Sequence, residues 1–167
     1  GLVFNAFCKM AIDLVSSYEI IVIGPLGWHF ELVIRHAEKL GILSRVRFLG
    51  KISDDELYWW LNNATMLIHP SLEEGFGFPP LEAMACGLPV IISSAPALVE
   101  VSGDAAIVVS LNDENSMMHA ISSLIRDKEL RSTLTRRGLE HVKKTSWKQC
   151  ANSSLQAYKR AGRDLST

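Results

Sequence analysis

Two glutamates flank a turn rich in glycine, phenylalanine and proline in the stretch EGFGFPPLE, which runs from Glu74 to Glu82. Gly75 and Gly77 allow the backbone to approach a ligand closely and to adopt positive φ. A helix that starts at the two prolines directs its first amides and the positive end of its dipole toward the glycines, an arrangement that favours an anion. Carboxylates accept hydrogen bonds from hydroxyl groups. The stretch therefore predicts a site for an anion flanked by polyols, such as a nucleotide diphosphate sugar.

The same features also have a purely structural interpretation. Gly-rich turns often precede capped helices, and acids near a helix N-terminus are favoured by the dipole alone. Local stability does not require two acids, two glycines and two prolines together, so their conjunction favours a binding site. His69, just before Pro70, would either bond to a sugar or phosphate or be an ordinary histidine at the end of a strand.

Short apolar runs elsewhere in the sequence predict buried strands, and these strands must position this stretch. These predicted strands are Glu19–Gly24, Arg45–Gly50, Thr65–His69, Pro89–Ser93 and Ala106–Ser110. Continuous apolar strands that alternate with helices are typical of a parallel sheet covered on both faces. With right-handed crossovers, the pattern predicts an α/β fold, a doubly wound, Rossmann-like domain in which ligands lie at the carboxyl ends of the strands. EGFGFPPLE lies at such an end.

Helical patterns fill the intervals between the strands. Apolar pairs at a spacing of four predict one helix over residues 2–15, and an alternative makes Leu2–Phe4 a degenerate strand. Ser53 and Glu56 form a capping box, and Gly41 suits the end of a helix. Other helices are predicted over residues 30–40, from 53 through 61, 79–86, 113–126, 128–143 and 147–161. Since a doubly wound unit normally begins with a strand, we expect that strand upstream of Gly1.

The composition indicates one globular domain. The 167 residues carry a formal net charge of -1, which gives no bulk electrostatic reason to expect nucleic acid as a partner. The three cysteines are far apart and lack a C-x-x-C spacing, which disfavours disulfides and zinc and favours a reducing, cytoplasmic location. No apolar run approaches the roughly 20 residues that span a bilayer, and no signal peptide is visible.

The stretch EGFGFPPLE, followed by AMACGLPVI, resembles the E-x7-E signature of the retaining glycosyltransferases of family 4 (glycosyltransferase group 1), which have the two-domain GT-B fold. EIIVIG, VRFLGKISDDEL, ALVEVSGDAAIVV and ELRSTLTRRGLE also resemble blocks of this family, in the same order. The resemblance implies that residues 1–167 are a single donor-binding domain, the C-terminal half of such an enzyme. The N-terminal domain, which binds the acceptor, would lie outside this chain.

The resemblance also implies a role for each matching residue. Glu74 would be catalytic and contact hydroxyls of the transferred sugar near its anomeric carbon, while Glu82 would hold the ribose hydroxyls. The turn would approach the sugar and diphosphate, and the segment after the second strand would lie beside the nucleobase. The remaining binding residues would be Gly24, Gly50, Lys51, Ile52, Gly75, Phe76, Gly77 and Phe78. No metal and no cofactor are implied, because amides and basic side chains would hold the diphosphate.

The implied reaction is transfer of a sugar, with GDP-mannose as the best candidate donor and UDP-sugars as alternatives, to a saccharide or lipid-linked acceptor in polysaccharide synthesis. The arginine and lysine with which the family clamps the diphosphate are expected upstream of Gly1. Two alternatives are an inactive nucleotide-sugar-binding module and a nucleotide-sugar epimerase on the same fold. Peripheral contact with an anionic membrane would use a basic run on the C-terminal helices, Arg131, Arg136, Arg137, Lys143 and Lys144.

Overall fold

The computed structural model describes residues 1–25, 27, 30–145 and 147–164. Its strands are β1 (Ile20–Ile23), β2 (Val46–Gly50), β3 (Leu67–His69), β4 (Val90–Ser93) and β5 (Ala106–Val109). Its helices are α1 (Leu2–Lys9), α2 (Ile12–Val15), α3 (Phe30–Lys39), α4 (Asp54–Asn63), α5 (Phe78–Ala85), α6 (Pro96–Ser102), α7 (Glu114–Arg126), α8 (Lys128–Val142) and α9 (Trp147–Asp164). A short 3₁₀ helix over Leu43–Arg45 leads into β2.

Every strand pair in this part of the chain is parallel. β1 pairs with β2, and β4 lies between β3 and β5. The strands thus form two hydrogen-bonded sheets, one of two strands and one of three. Each strand follows a helix in the chain, as parallel pairing requires. The predicted parallel α/β architecture is therefore confirmed, and within each sheet the carboxyl ends of the strands lie along one edge.

Helix α1 packs against both sheets. Its Phe4 belongs to a buried cluster with Ala37 and Val46, beside β1 and β2. Its Phe7 belongs to a second cluster with Ile91 of β4, which also includes residues of α7. Burial of apolar side chains is the main stabilising term in such a domain. The contacts of α1 therefore hold the two sheets side by side on this face.

Helices α4, α5 and α6 supply the core on the opposite face of the three-stranded sheet. Leu61, Met84 and Leu98 pack there with Val90 and Ile92 of β4. Because successive side chains of a strand point to opposite faces, Ile91 faces one core and its two neighbours face the other. β4 is consequently buried along its whole length, as its continuous apolar sequence predicts.

The N-terminal region differs from the single helix predicted over residues 2–15. α1 ends at Lys9, and Met10 adopts an extended conformation before the one-turn helix α2. The buried side chain of Met10 packs into the cluster around α7, so tertiary packing interrupts the helical stripe. The alternative of a strand at Leu2–Phe4 is wrong, because these residues are helical.

Helix α6 was missed in the sequence. Its segment follows shortly after β4, and the apolar pattern there predicts neither a helix nor a strand. Pro96 occupies the first helical position, where a proline is favoured because it needs no intrahelical partner. That signal was available in the sequence. In contrast, the capping box of Ser53 and Glu56 and the role of Gly41 after α3 are confirmed.

Helix α9 has no buried side chain among those described. Leu155 and Tyr158 on this helix are largely exposed. Among the helices in the described part of the chain, none is long and apolar enough to cross a membrane.

Candidate functional site

The E-x7-E stretch lies at the carboxyl edge of the three-stranded sheet. β3 ends at His69, and the chain passes through a loop over residues 70–77 before α5 begins at Phe78. β4 ends next to β3 at Ser93, one residue beyond the partner of His69. The predicted position of the site relative to the strands is therefore correct.

His69 and Glu74 form the centre of this site. His69 Nε2 lies 2.8 Å from Glu74 Oε1, and the two side chains are 22% and 27% exposed. Hydrogen bonds from His69 and Ser71 hold the pKa of Glu74 below its ordinary value. Glu74 is therefore ionised at neutral pH, and because a carboxylate only accepts hydrogen bonds, His69 Nε2 must carry the proton. The sequence predicts either a bond from His69 to a sugar or phosphate or an ordinary histidine at the end of a strand. The contact of His69 with Glu74 is a third role, which the sequence analysis did not predict.

Two serines, missed in the sequence analysis, anchor the loop that carries Glu74. The wholly buried Ser93 hydroxyl donates a hydrogen bond to the carbonyl oxygen of Ser71. Ser71 Oγ in turn lies 2.9 Å from the carbonyl oxygen of Glu73. One feature of the sequence could have identified Ser93. It is a polar residue at the end of a buried apolar strand, on the edge of the sheet where ligands bind in this class of fold. The loop is therefore fixed to both β3 and β4.

The two glycines of the turn have different roles. Gly77 is buried with a φ of 102°, and a Cβ there would lie 2.9 Å from Leu98 Cδ2 and 3.0 Å from Val101 Cγ1. Gly75 has no positive φ, and a Cβ there would meet nothing within 4 Å. The prediction that both glycines adopt positive φ to admit a ligand is therefore wrong. Gly77 is required by packing against α6, and only Gly75 has open space beside it.

The start of α5 also differs from the predicted anion receptor. The helix begins at Phe78, so Pro79 and Pro80 fall within its first turn. Proline has no backbone N–H. The first turn consequently offers fewer donors than an ordinary helix N-terminus, and the predicted series of helix amides is wrong. The backbone N–H groups immediately before the two prolines are those of residues 75–78.

Side chains of the same stretch extend into solvent. Glu82 lies on the second turn of α5 and is exposed. Phe76 and Phe78 are each about half exposed, and their ring centroids are 4.8 Å apart. The aromatic pair borders the turn over residues 75–78. These residues are accessible to a ligand that lies across the turn.

The residues predicted to lie beside the nucleobase follow the two-stranded sheet. Gly24 N donates a hydrogen bond to Gly50 O at 3.0 Å, which joins the ends of β1 and β2. Both glycines have positive φ with open space beside them. Lys51 is exposed and Ile52 is half-buried. The structure thus brings Gly24 to the segment over residues 50–52, on a sheet separate from the one that carries Glu74.

A cavity of about 360 Å³ lies elsewhere. Its lining includes Tyr18, Thr65 and Pro89, which precede β1, β3 and β4. Since the strands are parallel, this is the amino edge, opposite Glu74. Two polar lining residues are engaged internally: Arg131 bonds to the carbonyl oxygens of α7 and Thr135 to that of Gly87. The carboxyl edge carries the candidate site, because an ionised and oriented carboxylate lies there.

The basic run on the C-terminal helices is partly engaged within the domain. Arg131 bonds to the last turn of α7, as above. Arg136 Nη1 lies 3.3 Å from Glu140 Oε1, and Arg137 Nη1 lies 3.3 Å from the carbonyl oxygen of Asp104. The predicted contact of this run with a membrane stays a prediction.

Comparison with known proteins gives a family. Residues 2–141 match the family described as glycosyl transferases group 1. The chain is 34% identical over 155 residues to the O-antigen chain mannosyltransferase B of Escherichia coli, a match over 93% of this chain and 41% of that protein. The C-terminal domain of LpcC, a glycosyl transferase group 1 family protein from Francisella tularensis, is 27% identical with a TM-score of 0.68, over 83% of this chain and 76% of that one.

A second solved structure shares the fold. Anabaena HepE in complex with UDP-glucose is 18% identical with a TM-score of 0.79, over 96% of this chain and 44% of that one. The chain therefore spans about two fifths of the length of the E. coli mannosyltransferase and of HepE. The family match extends over α1 to α8, including both sheets and the E-x7-E stretch. The chain belongs to the glycosyl transferases group 1 family.

Proposed function

We propose that this chain is the donor-binding domain of a retaining glycosyltransferase that transfers a sugar from a nucleotide diphosphate sugar to a saccharide or lipid-linked acceptor. The observation that carries the proposal is the carboxylate of Glu74, ionised and oriented by His69 beside an open turn. A fixed carboxylate is suited to accept hydrogen bonds from sugar hydroxyls. The family match supports the same class of reaction.

Different residues of the site contact different parts of the donor. Glu74 contacts the transferred sugar, and Glu82 holds the ribose. The backbone of residues 75–78 approaches the diphosphate, with basic side chains as further partners and without a metal. Residues 50–52 lie at the nucleobase, and Gly24 lies at the edge of the same cleft. The separation of these two groups on two sheets suits a ligand as long as a nucleotide diphosphate sugar, which would lie along the carboxyl edge.

The chemical step replaces one bond to the anomeric carbon with another. The bond between that carbon and the diphosphate oxygen breaks, and the nucleoside diphosphate leaves with the electron pair. The acceptor hydroxyl oxygen forms the new bond on the same face and passes its proton to the departing diphosphate oxygen, so the configuration is retained. Backbone N–H groups of the turn stabilise the charge that develops on the diphosphate. Glu74 stabilises and positions the sugar in this step.

GDP-mannose is the proposed donor. The similarity to O-antigen chain mannosyltransferase B supports mannose as the transferred sugar. HepE, whose structure contains UDP-glucose, is 18% identical to this chain and shares only its fold. UDP-glucose is therefore the alternative donor against which GDP-mannose should be compared. The acceptor would be bound by a further domain, because the chain covers 41% of the mannosyltransferase.

The sheet topology supports a proposed position for a further strand of the donor domain. The classic doubly wound order, 3-2-1-4-5-6, has its first strand in the centre. The order β2-β1 followed by β3-β4-β5 matches this series when one parallel strand stands between β1 and β3. β1 and β3 are only half-buried, whereas β4, which has partners on both sides, is fully buried. We therefore assign the expected first strand to this position, with its loop at the donor site.

Calorimetric titration of nucleotides tests the proposal. GDP, UDP and dTDP would be titrated into this chain and into a longer polypeptide that includes the preceding residues. We expect one nucleotide to saturate the site and Glu82→Ala to weaken its binding, since the ribose loses a hydrogen-bond acceptor. Glu129→Ala, which removes an exposed acid from α8, is the control. Absence of binding in both polypeptides, or equal binding by Glu82→Ala, would contradict the donor-site assignment.

A second arm tests Glu74. In the intact enzyme, Glu74→Gln should abolish sugar transfer and largely spare nucleotide binding, because its carboxylate acts on the sugar. Glu73→Gln, which changes the neighbouring exposed acid, should keep normal turnover. Product analysis identifies the linkage and distinguishes transfer from epimerisation. Normal turnover in Glu74→Gln would remove the proposed role of this residue.

A further inference from the structure

A hydrogen-bonded series connects the ends of two adjacent strands to Glu74. His69 is the last residue of β3 and pairs with Ile92 of β4, so Ser93 lies next to it along the carboxyl edge. Both strands are rigid supports, since their backbones are joined in a parallel ladder. His69 and Ser93 therefore extend from positions that the sheet determines.

Ser93, at the end of β4, anchors the loop that follows β3. Its side chain is wholly buried and makes two hydrogen bonds: it donates to Ser71 O and accepts from Ala95 N at 3.4 Å. A buried hydroxyl with both partners present is costly to remove, because the groups left behind lose their hydrogen bond. Ser93 thus joins the loop after β3 to the segment that begins α6.

His69 and Ser71 then act on Glu74 itself. His69 Nε2 holds Glu74 Oε1 at 2.8 Å. This contact, with a further contribution from the nearby Ser71 hydroxyl, lowers the pKa of Glu74. A glutamate loses as much as about 2 kcal/mol of rotamer freedom when it becomes ordered. Here the contact with His69 supplies that ordering from within the protein. A carboxylate has about four lone-pair sites, so capacity for a sugar hydroxyl remains.

We infer that His69 and Ser93 are positioning residues that preorganise the Glu74 carboxylate for the sugar of the donor. The inference rests on the proposed function, and it extends the site beyond the E-x7-E stretch to the ends of β3 and β4. Preorganisation strengthens binding because the cost of ordering is removed from the binding step. His69 and Ser93 act through Glu74, so their effect is on the sugar and not on the nucleotide.

The first experiment measures the network without a ligand. Carbon-detected NMR would follow the titration of the Glu74 carboxyl in the 167-residue chain. In His69→Leu the pKa of Glu74 should return toward its ordinary value, whereas in His69→Gln it should stay lowered, because an amide N–H replaces the imidazole donor. His119→Leu, the same change at an exposed position on α7, is the control. An unchanged titration in His69→Leu would overturn the inference.

The second experiment measures the consequence for the donor. The affinity of GDP-mannose relative to GDP, and of UDP-glucose relative to UDP, would be measured by calorimetry in the longer polypeptide. His69→Leu should lower the relative affinity of the bound sugar nucleotide about 10-fold, the size of one hydrogen bond to a charged group. Ser93→Ala should lower it in the same direction, and His69→Gln should restore it. Nucleotide affinity itself should change less than about 2-fold.

A double variant separates the possible failures. Because His69 acts through Glu74, His69→Leu combined with Glu74→Gln should bind the sugar nucleotide no more weakly than Glu74→Gln alone. Additive losses would overturn the positioning role and leave the proposed function in place. If Glu74→Gln itself leaves the relative affinity unchanged, or if none of the four ligands binds, the proposed function fails and the inference fails with it.

Discussion

The two sheets of this domain differ in how completely they are buried and in what their strand ends carry. In the three-stranded sheet, β4 has partners on both sides, and Ile91 and Ile92 are fully buried. In the two-stranded sheet, β1 is half-buried and Ile23 is 37% exposed. The first sheet carries the loop of Glu74, held by side chains from two strands. The second carries Gly24 and Gly50, which have open space beside them.

The difference indicates how the proposed donor site is organised. The part that would contact the reacting sugar is built on the more completely buried sheet, where hydrogen bonds from His69 and Ser93 hold the loop. The part that would contact the base lies on β1 and β2, which pair only with each other among the described residues. Precise geometry at the anomeric carbon matters more for the rate than at the base, because misplaced catalytic groups lose much of their effect.

Truncation of one isoleucine in each sheet should give the largest difference in the free energy of unfolding. Ile92→Ala removes a side chain with no exposed surface and should lower the free energy of unfolding by about 2–5 kcal/mol. Ile23→Ala should cost less than about 1 kcal/mol in this chain, because its side chain is partly solvated already. Urea denaturation of both variants measures the difference. Equal losses would show that the two sheets are equally packed.

The longer polypeptide sharpens the same comparison. If a strand stands between β1 and β3, Ile23 becomes more buried there, and the cost of Ile23→Ala should rise above its value in the 167-residue chain. The cost of Ile92→Ala should stay the same, since β4 already has partners on both sides. An unchanged cost of Ile23→Ala would contradict the assigned position of the strand.

The two glycines of the site loop offer a second contrast of intermediate size. Gly77→Ala introduces a Cβ that meets α6 at a positive φ, and should destabilise the domain by about 1–3 kcal/mol. Gly75→Ala meets open space and should change stability by less than about 0.5 kcal/mol. Thermal or urea unfolding would compare them. A larger loss in Gly75→Ala than in Gly77→Ala would contradict the assignment of packing to Gly77.

The ion pair that joins α1 to α7 should have the smallest effect. Lys9 Nζ lies 2.5 Å from Glu114 Oε2 and Asn5 Nδ2 lies 2.6 Å from Oε1, and these bonds lower the pKa of Glu114. The unfolded chain therefore binds more protons in acid, so this contribution is complete above the ordinary glutamate pKa of 4.5 and is lost as pH falls through the native value. Glu114→Gln should flatten the acid side of the stability curve.

The control for Glu114 is matched in position. Glu129→Gln changes an acid in the first turn of α8, as Glu114 lies in the first turn of α7. Both substitutions remove a charge near a helix N-terminus, so the difference between them isolates the contacts with Lys9 and Asn5. Urea midpoints measured from neutral pH down to pH 3 would compare the variants. Identical curves for the two would show that the ion pair adds nothing beyond the helix dipole.

Local patterns in the sequence determined the elements of the fold and the position of the site. Each apolar run became a parallel strand, because such runs need burial on both faces. Ser53 and Glu56 started a helix, because their hydrogen bonds satisfy amides within three residues of each other. The E-x7-E stretch followed its strand, so its place at the carboxyl edge was predictable.

Contacts between distant segments decided the remainder, and no local pattern encodes them. Ser93 and Ser71 are 22 residues apart in the chain and meet only because β3 and β4 are neighbours. Gly77 is required by Leu98 of α6, a contact that appears only when α6 packs against the loop. The sequence by itself thus determined which residues could form the site. Only the tertiary structure decided which of them are oriented, because orientation depends on the partner that each side chain meets.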